Sequence, residues 1–135
     1  MVLGPTATGK TRFAAELAAR IRGEIISADS RQIYKHMDLG TGKDYGDYIV
    51  DGTIIPHHLI DLHEPGYKYN VYEYQKDFIE VYRAIRKRDK KVILCGGTGL
   101  YIEAVTKGYR LIAVPVNPEL RKSLEGKSLD ELESI

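Results

Sequence analysis

Residues 4–11 read GPTATGKT and carry the spacing G-x-x-x-x-G-K-[ST]. Gly4 and Gly9 let the backbone curl until several N–H groups aim at one spot. The helix that follows adds the positive end of its dipole. Together Gly4, Pro5, Thr6, Ala7, Thr8, Gly9, Lys10 and Thr11 form a cradle for a phosphoanhydride. Lys10 brings a full charge to the outer phosphates, and Thr11 offers a hydroxyl to Mg²⁺. Such loops bind ATP and other nucleotides, but the pattern alone fixes neither the phosphoanhydride nor its fate.

Two further stretches carry chemistry-bearing residues directly after an apolar run. EIISA (24–28) is followed by Asp29, Ser30, Arg31 and Gln32, and KVILC (91–95) by GGTG (96–99). Near a phosphate, Asp29 can act as a Mg²⁺ ligand or as a base; a turn or cap residue is its bland role. A motor or switch NTPase should show an apolar strand ending in Asp. KVILC ends in Cys-Gly-Gly, which argues against that class.

These residues need elements to hold them. TRFAAELAARIRG places Phe13, Leu17, Ala18 and Ile21 on one helical face, with Gly23 as a stop. EIISA and KVILC read as buried strands, HHLIDL (57–62) as a short one, and residues 48–50 as an edge strand. NVYEYQKDFIEVYRAIRKRDK spaces Val71, Tyr74, Phe78, Val81, Tyr82 and Ile85 as one helical face. A helix follows GGTG over 99–107, another starts near Glu119, and KSLDELESI opens an amphipathic helix with no cap. Strands alternate with helices, which predicts an α/β, P-loop NTPase-like three-layer core with a parallel sheet. The three loaded turns should converge on one sheet edge.

The 135 residues fit a single domain, and both ends look cut, as in a fragment. With one cysteine no internal disulfide is possible, which fits a reducing cytoplasm. No apolar run is long enough to span a membrane. The formal charge of +1 neither supports nor excludes a nucleic-acid partner, and RAIRKRDKK (83–91) reads as a solvated helix end. His57 and His58 are adjacent and on a strand face opposite ways, so they share no metal. Asp61 reads as a strand-end turn residue, Cys95 as core, and the tyrosines at 67, 69, 72 and 74 as packing. Segment 44–52, DYGDYIVDG, has no functional reading.

GPTATGKT, SADSRQIYKHMDLGTGK, PHHLID and GGTGLYIEAV, in this order and spacing, resemble the tRNA dimethylallyltransferase family from Gly4 to about Arg121. The resemblance implies prenyl transfer from dimethylallyl diphosphate to N6 of the adenosine 3′ of the anticodon. Its partners would be that diphosphate, held with Mg²⁺ through Thr11, and a tRNA anticodon stem-loop. It implies Asp29 as base, with Lys10 and Thr11 on the leaving group. Asp29, Ser30, Arg31, Gln32, Thr98 and Arg121 match the family's tRNA-contacting positions. Gln32 can pair an adenine edge; Ser30 and Gln32 also suit turn hydrogen bonding, and Thr98 an N-cap. Family members continue into further helices and a tRNA-gripping insertion absent here. A cytoplasmic monomer is expected. The alternatives are an adenylate isopentenyltransferase and a P-loop small-molecule kinase.

Overall fold

The computed structural model describes residues 1–5 and 7–135. Its main sheet has four parallel strands in the order β1 (Val2–Leu3), β6 (Lys91–Gly96), β2 (Gly23–Ala28), β5 (His57–His58). A small antiparallel hairpin, β3 (Ile49–Val50) and β4 (Thr53–Ile54), turns through Asp51 and Gly52, both at positive φ. That is the two-residue turn whose twist matches paired strands. Strand β2 is buried at every position, as expected of a central parallel strand covered on both faces.

Alternate residues of β2 and β6 feed two cores. Ile25, Ile93 and Cys95 pack with Ala14, Ala15 and Ala18 of α1 (Lys10–Ile21) and with Tyr48. Ile26, Ala28 and Leu94 pack with Tyr74 and Ile85 of α2 (Val71–Lys87) and Tyr101 of α3 (Gly99–Thr106). The Tyr74 and Tyr101 rings stack at 4.0 Å, and the Tyr74 hydroxyl donates to the Ser27 carbonyl at 3.0 Å. The result is the three-layer α/β arrangement.

The structure departs from the sequence pattern in several places. Helix α1 buries alanines, while Phe13 is 59% and Ile21 41% exposed. A helix lying close on a parallel sheet needs small residues at the contact; Ala18 and the half-buried Leu17 keep the predicted face, while Phe13 and Ile21 point outward. Gly23 does not stop α1. Arg22 does, at φ 55°, and Gly23 opens β2, where a Cβ would sit 3.1 Å from the Lys91 carbonyl. HHLIDL pairs only at His57 and His58, because Leu59 and Asp61 adopt positive φ and leave the ladder. Tyr82 on α2 is 42% exposed. The last helix, α5 (Leu129–Glu133), has a complete capping box between Ser128 and Glu131, against the uncapped reading.

Helix α2 is started by a second capping box. The Asn70 side chain accepts from Tyr72 and Glu73 N–H, and Glu73 returns a bond to Asn70 N–H. Residues 107–117 are irregular, and Ile112, Val114 and Val116 are each about three-quarters exposed. Neither α4 (Pro118–Leu124) nor α5 contains a buried residue.

Candidate active site

The parallel sheet brings the C-terminal ends of β1, β6 and β2 together, so the three loaded turns do converge. A cavity of about 200 Å³ opens between them. Ala7, Thr8, Gly9, Lys10 and Thr11 form one wall; Asp29 and Gln32 form a second; Cys95, Gly96 and Gly97 form the floor. Thr6, a cradle residue by sequence, lies outside the described residues.

The loop has the expected curl. Ala7 and Gly9 are at φ 60° and 75°. Thr8 Oγ1 donates to the Pro5 carbonyl at 2.9 Å, and the Lys10 ammonium donates to the same oxygen. Gly9 is the N-cap of α1 and offers no side-chain cap, and no acidic residue sits in the first turn. The N–H groups of that turn are therefore left for a ligand, with the positive helix end behind them.

Asp29 follows β2 directly. Its Oδ1 accepts from Arg31 N–H at 2.9 Å, and its carbonyl accepts from Gln32 N–H at 3.2 Å. The turn thus fixes the carboxylate at the cavity wall through one oxygen. Thr98 fastens this turn from the third one. Its N–H donates to Ala28 O at 3.0 Å, its Oγ1 accepts from Ser30 N–H at 2.9 Å, and the same hydroxyl meets Ser30 Oγ at 3.3 Å. Thr98 occupies the N-cap position of α3 but makes no side-chain cap bond. Its hydroxyl is turned to Ser30 instead.

Gly96 makes this closeness possible. A Cβ there would stand 2.4 Å from the backbone C and O of Ala28. Gln32 is buried; its Oε1 accepts from Ser27 Oγ at 3.1 Å and its Nε2 donates to the Gly42 carbonyl at 3.3 Å. Each end of its amide makes one hydrogen bond inside the chain, which holds the side chain at the cavity wall. Arg121 lies on the exposed α4 and does not line the cavity.

Burial pushes the Cys95 thiol above its ordinary range, and nearby Lys10 offsets this only in part. The thiol therefore stays protonated and serves as core. The two histidines do diverge. His57 stacks on Tyr48 at 4.0 Å, and His58 Nε2 lies 2.7 Å from Glu24. Among the described residues, no group of three or more His, Cys, Asp or Glu is placed to hold a metal.

A second groove, about 530 Å³, adjoins the first across Thr41. Ser30 and Arg31 form its base, with Tyr34, Tyr69 and Tyr101 among its walls. Burial pushes the Tyr101 phenol up to about 12, so that ring is neutral. A larger groove of about 670 Å³ runs along α2 and contains none of the candidate residues.

Four wall residues escaped the sequence reading: Thr41, Gly42, Asp47 and Tyr48. They come from the glycine-rich segment and the 3₁₀ turn Tyr45–Tyr48. The repeated glycines of DLGTGK, at φ 81° and 70°, were the available signal.

A glycine-rich curl at a helix N-terminus, on a parallel sheet between helical layers, defines a P-loop NTPase-like domain. Residues 32–134 match the model of the IPP transferase family. The chain belongs to that family. It is 67% identical over 99% of its length to tRNA dimethylallyltransferase 1 of Parabacteroides distasonis. It is 63% identical over 99% to tRNA dimethylallyltransferase 2 of Bacteroides fragilis. It covers 44% of each of these relatives, so it spans less than half their length. Among solved structures, the full-length tRNA isopentenylpyrophosphate transferase of Bacillus halodurans is 37% identical. It superposes with a TM-score of 0.75 over 98% of this chain and 42% of that one. A eukaryotic dimethylallyltransferase acting on tRNA, 23% identical, shares the fold with a TM-score of 0.78, over 98% of this chain and 33% of that one.

Proposed function

We propose that the full-length protein transfers a dimethylallyl group from dimethylallyl diphosphate to N6 of the adenosine 3′ of the anticodon in tRNA. The observation that carries this reading is the placement of Asp29 on the wall of the phosphate cavity, beside a groove with aromatic walls. The names of the relatives agree with it.

In this reading the diphosphate lies in the loop, against the N–H groups of α1's first turn, Lys10 and Thr11. N6 attacks C1 of the dimethylallyl group, the C1–O bond breaks, and the electron pair leaves on the diphosphate. The N6 proton passes to Asp29. The cradle is positively charged where negative charge grows, so it helps most in the transition state. The adenine must leave the anticodon stack to reach Asp29, and the groove of Ser30, Arg31 and the tyrosines is where it would sit. Thr98 holds the Asp29 turn through Ser30. A contact from Arg121 to tRNA would lie away from the reacting atoms.

The oxygen donors at the cavity, the Thr11 hydroxyl with Asp29 and Asp47, fit a Mg²⁺ ion that arrives on the diphosphate and takes few protein ligands. Bound there, it would neutralise leaving-group charge. No helix among the described residues is long and apolar enough to cross a membrane; we place the protein in the cytoplasm as a monomer. A small-molecule kinase brings arginines to its phosphates, and none of the described residues lining the cavity is an arginine.

Asp29→Asn in the full-length enzyme tests the mechanism. Asparagine can still meet N6 but cannot take its proton. Single-turnover transfer should fall by about 10²-fold or more with substrate affinities kept. Rescue by added Mg²⁺, with weakened diphosphate binding, would make Asp29 a metal ligand instead. A rate within about threefold of wild type would remove both roles.

A further inference from the structure

Lys43 stands in the segment 38–44, between the two grooves of the site. Its side chain is only 1% exposed. The ammonium meets three acceptors: the Tyr34 carbonyl, an oxygen of Asp61, and Asp38 Oδ1 at 3.2 Å. An ammonium has three donors, so its capacity is filled. Asp61 is fixed in turn, since its N–H donates to Gln32 O at 2.9 Å and its other carboxylate oxygen accepts from the Tyr45 hydroxyl. The anchor therefore belongs to the sheet edge after β5, and the anchored residue belongs to the loop.

The rest of the loop has little to hold it. Gly40 and Gly42 take positive φ, Leu39 is 99% exposed, and among the described residues Thr41 Oγ1 bonds to the nearby carbonyls of Met37 and Asp38. Yet Thr41 and Gly42 form a wall of the phosphate cavity, and Asp47 and Tyr48 just beyond them form more of it. Among the described residues, this stretch is tied to the Asp29 turn by Gln32 Nε2 donating to the Gly42 carbonyl, at 3.3 Å.

We propose that Lys43 is a positioning residue for diphosphate: its buried ammonium latches residues 38–44 onto Asp61 and so sets the cavity wall formed by Thr41 and Gly42. The role rests on the cradle reading above. It differs from a plain structural ion pair in one respect. Removing both members of a buried pair often leaves stability nearly intact, while removing one leaves an uncompensated charge. A double variant can therefore regain stability without regaining the latch.

The test uses the full-length protein. Isothermal titration with inorganic diphosphate in Mg²⁺, and thermal unfolding, are run on wild type, Lys10→Ala, Lys43→Met, Lys43→Gln, Asp61→Asn and Lys43→Met/Asp61→Asn. Lys43→Met should lower the unfolding temperature and weaken diphosphate binding by about tenfold, the scale of networks that act through a neighbour. Lys43→Gln, which keeps two donors, should lose about threefold and serves if the methionine variant does not fold. In the double variant the unfolding temperature should recover while the diphosphate affinity stays low. Affinity that recovers together with stability would overturn the proposal. So would affinities of both Lys43 variants within about twofold of wild type, or failure of both to fold, which would make Lys43 a residue of the fold alone. Wild type that ignores diphosphate, or Lys10→Ala that binds it equally well, would refute the cradle reading and the latch with it. Normal behaviour of those two controls confines any failure to Lys43.

Discussion

Replacing Gly96 by alanine adds one methyl group at the place where two strands carry the site. That Cβ would lie 2.4 Å from Ala28 C and O and 2.8 Å from Ala28 Cα, against an ordinary contact of 3.4–4 Å. The obstacle is backbone, so no rotamer change relieves it. Strands β2 and β6 must part by about 1 Å at their ends, enough to lose one or two ladder bonds at about 1 kcal/mol each. Overpacking adds about 1–3 kcal/mol, for a total of about 2–5 kcal/mol. In the full-length protein the unfolding temperature should fall by roughly 5–10 °C. Activity should suffer more, because Asp29 and Thr98 leave from these two strand ends. A displacement of about 1 Å there should cost on the order of 10²-fold in single-turnover transfer. Gly99→Ala is the internal control. Nothing lies within 4 Å of its Cβ, and it opens α3, so stability should hold or rise slightly. Differential scanning calorimetry with rapid-quench transfer assays measures both quantities. A Gly96→Ala protein that melts within about 1 °C of wild type and transfers at an unchanged rate would refute the reasoning.

Two other expectations concern the scaffold. Burial raises the pKa of the Glu24 carboxylate, but hydrogen bonds from Arg88 and His58 outweigh it and hold the group below its ordinary 4.5. A carboxylate lowered by folding stabilises above its unfolded value, and the benefit drains away as pH falls through its folded one. Arg88→Met should therefore cost about 1–2 kcal/mol near neutral pH, discounted because Arg88 is half exposed. It should also shrink the stability lost below about pH 4.5; urea titrations at neutral and acid pH that show equal acid losses in both proteins would count against this. Asn70→Ala removes the α2 capping box and should cost about 1 kcal/mol by the same urea measurement, with no change in diphosphate affinity.

What was legible in the sequence was whatever local pattern controls. The phosphate loop, the two buried strands and the position of Asp29 after the first all rest on residues within about ten positions of one another. The convergence of the three turns followed from parallel topology. The misses share a different cause. Apolar spacing on α1 put Phe13 and Ile21 on the buried face beside Ala18, yet the demand for close approach to the sheet was met by Ala14 and Ala15 with Ala18. The latch joins Lys43 to Asp61, 18 positions away, and such a pair has no periodic signature. Gln32 was legible as a polar group beside the site. Its partners, Ser27 and the Gly42 carbonyl, were fixed only by the fold of the loop.

The irregular stretch after α3 has a consequence for handling the chain in solution. Ile112, Val114 and Val116 present apolar side chains at alternate positions, each about three-quarters exposed. Such spacing suits strand-to-strand pairing between molecules, the first step of ordered aggregation. Pro115 interrupts it, since a residue without an N–H cannot donate to a growing ladder. The proline thus acts as a gatekeeper, keeping a sticky strip from becoming a template for its own copies.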